Sequence, residues 1–159
     1  MTTKNTDLVA NFEASPQVAN SAAELAGVLR TAHGSVELAA GDSTDDDIVM
    51  LAPIPSNAAV PTLFIGSDTL GGSCTFNVGI YTSAGVVKDE DVFASTVADA
   101  AAMADVRYEA ADLNTGSQKL WELAGDTSDP GGYYYIAITF NATGGTAGTL
   151  NWNISYVVD

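Results

Sequence analysis

The chain has 159 residues, 47% of them hydrophobic, which is ordinary for one globular domain and excludes wholesale disorder. Twenty acidic residues oppose five basic ones, for a net charge of −15. Lys4, Arg30, Lys88, Arg107 and Lys119 are scattered, so no basic patch is available for nucleic acid or for an anionic membrane surface.

Residues 1–20 are polar, weakly periodic and interrupted by Ser15-Pro16. This predicts a flexible arm outside the core, either a plain terminus or a segment that orders on a partner. Its candidate contact residues are Phe12, Pro16, Gln17 and Val18, and a single domain of residues 21–159 would follow it. Met1–Thr6 holds no apolar signal core, and no run approaches the ~20 residues of a membrane span. Synthesis and folding in a cytoplasm are therefore expected.

Alternation over Val28–Ala40 predicts a strand, with Gly34 marking a bulge, while Ser21–Gly27 stays open between helix and coil. Gly41–Asp47 is a loop by composition. Counted from Asp42, the glycine and glutamate positions of an EF-hand loop hold Asp47 and Pro53, so a solvated turn is expected and no metal. Ile48–Ile54 is apolar at every position, as in a strand covered on both faces, although Pro53 and Pro55 bar it from a central place. Ser56-Asn57-Ala58 turns into a strand over Val60–Ile65, and Gly66–Ser73 is a flexible connection without the lysine or helix of a phosphate loop.

The cleanest alternation is Cys74, Phe76, Val78 and Ile80 against Thr75, Asn77, Gly79 and Tyr81, a half-buried strand. The lone Cys74 shares the apolar phase, so it is a small core side chain, with no internal partner for a disulfide. Thr82–Gly85 reads as a hairpin turn. A helix is expected from Thr96 to near Val106, where Thr96 and Asp99 resemble a capping box and Val97, Ala100, Ala101 and Ala104 share a face. A second, short helix over Gly116–Gly125 would place Trp121 over an open end of the fold. Asp129–Gly132 is a turn, and two alternating strands finish the chain. Tyr134, Ile136, Ile138 and Phe140 lead the first; Leu150, Trp152, Ile154, Tyr156 and Val158 lead the second. Their linker makes them an expected antiparallel pair.

Short strands with helices only as inserts predict a mainly β fold: an antiparallel sandwich of jelly-roll or immunoglobulin-like type. No catalytic constellation emerges. His33 lies on a polar strand face without evident partners, and no G-x-S-x-G elbow occurs. Carboxylate pairs such as Asp45/Asp47 or Asp89/Asp91 are unspecific in so acidic a chain. Alternate members of Tyr133–Tyr135 are expected in the core and on the surface. The expectation is no enzyme, no cofactor and no metal.

Five segments in order resemble a family of small virion proteins encoded beside the major capsid gene in tailed phages and prophages. They are Ile54-Pro55-Ser56-Asn57-Ala58, Phe76-Asn77-Val78-Gly79-Ile80-Tyr81, Asp91-Val92-Phe93-Ala94, Leu120-Trp121-Glu122-Leu123-Ala124-Gly125 and Asp129-Pro130-Gly131. With the closing strands, the likeness spans Val28 to Val158. The resemblance implies a head decoration or cement protein on the outer capsid surface, bound to the major capsid protein and associated as a trimer. No catalytic residue comes with it. The alternative is a receptor- or carbohydrate-binding module of a head or tail fibre, which exposed aromatics among Tyr81, Tyr133, Tyr135 and Trp121 would favour.

Overall fold

The computed structural model describes residues 6–19, 22, 25, 27–99, 102–107 and 113–158. Its strands are β1 (Leu29–Leu38), β2 (Ile48–Pro55), β3 (Ala58–Ser67), β4 (Thr75–Tyr81), β5 (Val87–Ala98), β6 (Ala104–Asp105), β7 (Tyr133–Ala142) and β8 (Gly148–Val158). Two short helices, α1 (Asp7–Glu13) and α2 (Leu120–Leu123), and a 3-10 turn at Leu113–Ser117 complete the described elements.

The strands form two antiparallel sheets ordered β1-β8-β3-β6 and β2-β7-β4-β5. Each strand pairs with its counterpart from the other end of the series: β1 with β8, β2 with β7, β3 with β6 and β4 with β5. Consecutive strands from β1 to β4 alternate between the sheets. This is the order of a jelly roll, a long hairpin with its tip between β4 and β5, rolled into a sandwich. One core lies between the sheets, with Ile54, Leu63, Phe76, Ile80, Phe140 and Ile154 at its centre. Phe76 and Phe140 meet edge to face, their centroids 6.2 Å apart.

The topology corrects the expected pairing of the last two strands. β7 lies between β2 and β4, whereas β8 lies between β1 and β3 in the opposite sheet. Alternation settles which face of a strand is buried, but a sandwich offers two sheets that satisfy the same pattern.

The helix expected from Thr96 is also replaced by sheet. Thr96, Val97 and Ala98 close β5, and Ala104 and Asp105 form β6; residues 100 and 101 lie outside the described part. Val97 pairs with Phe76 and is buried, so its β-branched side chain serves the sheet core. Thr96 adopts φ 57° and donates its N–H to Asn77 Oδ1 at 2.8 Å. The Asp99 carboxylate accepts the Leu70 N–H at 2.9 Å instead of capping a helix.

Three smaller expectations change as well. Gly34 sits in unbroken register with Trp152 and marks no bulge, and the Ser21–Gly27 question falls largely outside the described residues. β2 is an edge strand with Ile48 and Met50 exposed; its continuous apolar run reflects a register shift between Met50 and Ala52, beside which both Leu51 and Ala52 are buried. The short helix contracts to α2, where Glu122 Oε2 accepts the Lys119 N–H at 2.8 Å, and Gly125 at φ 76° follows it. Trp121 of α2 packs half-buried against the core, and its N–H donates to Ser56 O at 3.0 Å.

Candidate docking surface

The stretch expected to be an arm is partly ordered on itself. Residues Asp7–Glu13 form α1, and the chain then doubles back so that Val18 N–H donates to Asn11 O at 3.1 Å. None of the described residues 6–19 belongs to the buried core. Phe12 is 64% exposed and Val18 51%, and Pro16 and Gln17 are exposed beside them. The four candidate contact residues therefore lie on one short stretch that leaves a large aromatic in water. A lone exposed apolar residue is unremarkable; two within seven positions of an arm outside the core offer a surface to bury.

The other candidates resolve into structure. Asp47 Oδ2 accepts both the N–H and the hydroxyl of Thr44, and these bonds hold its carboxyl below the usual carboxylate range. Asp42 Oδ2 accepts the Ala39 N–H at 2.9 Å, so both carboxylates close turns. Among the described residues no group of three or more His, Cys, Asp or Glu could hold a metal ion. Cys74 is buried, and burial first, then the Asp99 charge, pushes its thiol pKa up, away from the thiolate that reactivity needs.

At the end of the sandwich under α2, Tyr134 donates its hydroxyl to Asp126 Oδ2, and Lys88 Nζ stands 2.9 Å from Asp126 Oδ1. Burial and the Asp126 bond push Tyr134 up to about 12, while the same hydrogen bond and Lys88 hold Asp126 low. Beside them Ser56 Oγ donates to Asp129 Oδ1 at 2.6 Å and Gly131 N–H to the same oxygen at 2.9 Å. Ser56 is thus tied to a turn carboxylate, and its hydroxyl has no histidine at hand. Of the aromatics, Tyr133 is 63% exposed, Tyr134 is buried, and Tyr135 and Trp121 are half-buried.

Tyr81, expected on the polar face, is instead buried, its hydroxyl bonded to Thr139 Oγ1. The cause is β5, whose pairing jumps from Val78↔Ala94 to Ile80↔Asp89 and lays the Asp89–Glu90 backbone over Gly79.

His33 lies on the outward face of the first sheet, opposite Asn153. It borders a cavity of about 370 Å³ together with Ser35, Asn151, Asn153 and Met103. The polar phase of β8 was visible in the alternation of Asn151 and Asn153. Their alignment with His33 and Ser35 depends on the β1–β8 register.

No protein-family model and no curated protein matches the sequence. Two solved structures show a remote likeness of fold. A chain of the cyanophage Pam1 capsid asymmetric unit is 16% identical with a TM-score of 0.44, over 84% of this chain and 86% of that one. A chain of the acidic stable capsid of Helicobacter pylori bacteriophage KHP30 is 13% identical with a TM-score of 0.38, over 82% of this chain and 88% of that one.

Proposed function

We propose that this chain is a non-enzymatic structural protein of a phage virion, a decoration or cement protein on the outer surface of the head. In this reading residues 1–20 are an arm, residues 21–159 are a single sandwich domain, and the arm anchors the domain to the major capsid protein through Phe12, Pro16, Gln17 and Val18. The observation that carries the reading is the arm itself, which holds Phe12 and Val18 in water outside the jelly-roll core. Burying such side chains against a partner removes apolar surface that the fold itself leaves exposed. The ordered series of segments from Ile54 to Gly131, and the closing strands, supply the resemblance to the family. The net charge of −15 keeps closely spaced copies soluble, so contacts between copies, as in a trimer, rest on apolar and hydrogen-bonded surface.

The test is the copy number of the chain per purified virus particle, by quantitative mass spectrometry against the major capsid protein. A fixed ratio to the capsid subunit, with hundreds of copies, is the expected result. A handful of copies would move the chain to a tail or fibre, and none would end the virion reading.

A further inference from the structure

The outward face of the first sheet carries three rungs set by the β1–β8–β3 register. Thr31, Ser155 and Thr62 stand side by side, then His33, Asn153 and Phe64, then Ser35, Asn151 and Gly66. Met103 packs over Gly66, where an added Cβ would stand 2.9 Å from Met103 Cα, and forms a wall of the cavity of about 370 Å³. Phe64 is 37% exposed and Met103 47%. Within β1, β8 and β3 these rungs hold no carboxylate, ammonium or guanidinium; the middle rung reaches one only at Asp105 of β6. Asp105, opposite Phe64, commits its Oδ1 to the Leu63 and Arg107 N–H groups at 3.2 and 3.0 Å.

The side chains here are also unspent. His33, Ser35, Asn151 and Asn153 make no side-chain hydrogen bond within the described residues. On the other sheet, by contrast, the Asn77 amide binds Glu90 Oε1 and Thr96 N–H, and the Asn141 amide binds Asn77.

We infer that this cavity binds an uncharged glycan. Each asparagine amide offers a donor pair and an acceptor, the combination that neighbouring sugar hydroxyls require. Asn151 and Asn153 lie two residues apart on one face, about 7 Å, roughly the span of one sugar ring. Met103, in the cavity wall, gives the C–H face of the ring an apolar flank, and Phe64 stands beside Asn153 in the same rung. Charge selects the class of ligand. The field of a chain at −15 repels phosphorylated, sulfated and sialylated molecules, and the one carboxylate at the end of these rungs, Asp105, has its Oδ1 engaged by backbone N–H groups. The site is separate from the arm, so it does not depend on how the chain is anchored.

The test screens the full chain on an array of neutral and acidic oligosaccharides, then titrates the best neutral binder by calorimetry. Saturable binding confined to neutral glycans is expected. The double variant Asn151→Ala/Asn153→Ala is expected to weaken it about tenfold or more. The isosteric Asn153→Asp, which keeps the side chain's shape, should weaken it as well. Tyr133→Ala, on the other sheet, should leave it unchanged. The inference is overturned by no binding to any neutral glycan, by a preference for acidic ones, or by binding that both asparagine variants leave intact while their unfolding midpoints match the parent.

Discussion

The indole of Trp152 lies directly against Gly34 of the neighbouring strand, and a methyl group at position 34 would stand 2.6 Å from ring carbon Cζ2. The glycine is there to make room for a ring, with no turn or bulge at that point. Gly34→Ala is expected to lower stability by about 1–3 kcal/mol through overpacking, read from urea unfolding. Gly79→Ala should cost more, because its added carbon would meet the backbone oxygen of Asp89 at 2.1 Å, and a strand crossing cannot swing aside like a side chain. Equal, small losses at both sites would contradict the packing described here.

Arg107 is 1% exposed, donates from Nε to Val60 O at 3.1 Å and from Nη2 to Thr115 Oγ1 at 2.7 Å, and holds its guanidinium 5.1 Å from the Phe93 ring centre. A lysine cannot reproduce that fork. Arg107→Lys is expected to destabilise the fold by about 2 kcal/mol or more, and Phe93→Leu to weaken it further by removing the ring under the charge. A double-mutant cycle by chemical denaturation measures whether the two effects couple.

Tyr134 sets the alkaline limit. A tyrosine in the unfolded chain ionises near 10, and in the fold Tyr134 is pushed up to about 12 by burial and by its bond to Asp126. The stability this contributes is complete below about pH 10 and is lost as the pH rises towards 12. Burial pushes Tyr81 in the same direction. At pH 7, Tyr134→Phe should cost about 1–3 kcal/mol, the loss of a hydrogen bond to a charged group. The gap between parent and variant should narrow above pH 10 in denaturation curves.

Acid acts through the turn carboxylates. Asp47, Asp126 and Asp129 are held below the ordinary range, chiefly by side-chain bonds from Thr44, Tyr134 and Ser56 respectively. Each therefore contributes stability present above about pH 4 and lost as the pH falls through its folded value. Asp89, raised mainly by burial, works in the opposite sense and gains on protonation. With three against one, the unfolding temperature should fall below about pH 4. Asp129→Asn should make that fall shallower while lowering the midpoint at pH 7.

The arm gives the sharpest functional prediction. Deleting residues 1–20 should leave the unfolding midpoint within about 2 °C of the parent, because no described arm residue is in the core. The same deletion should weaken docking onto capsids depleted of the protein by about tenfold or more, measured by co-sedimentation. Phe12→Ala alone should produce part of that loss. Undiminished docking of the truncated chain would remove the anchoring role.

Much of the strand content was legible because burial in a sheet leaves a period-2 trace. Cys74, Phe76, Val78 and Ile80 are all buried as the alternation requires, and so are Tyr134, Ile136, Ile138 and Phe140. Turn chemistry was equally local: Gly85, Gly125 and Gly131 take positive φ where a turn was expected or a helix was to stop. The failures came where a pattern had two physical solutions. An alanine-rich run with Thr96 and Asp99 suits a helix or a strand end, and the pairing of Val97 with Phe76 decided for the sheet. The polar face of β8 was visible, but a face of asparagines is only a solvated surface until a register brings His33, Ser35 and Phe64 beside it.

By itself the sequence determined a mainly β chain, which side chains of its regular strands turn inward, and a strongly acidic balance, because these follow from local periodicity and composition. Only the tertiary structure decided that β7 and β8 part into opposite sheets, that Gly34 yields to Trp152, and that β5 buries Tyr81. Those outcomes depend on contacts between residues far apart in the chain, and alternation along one strand carries no information about which strand lies beside it.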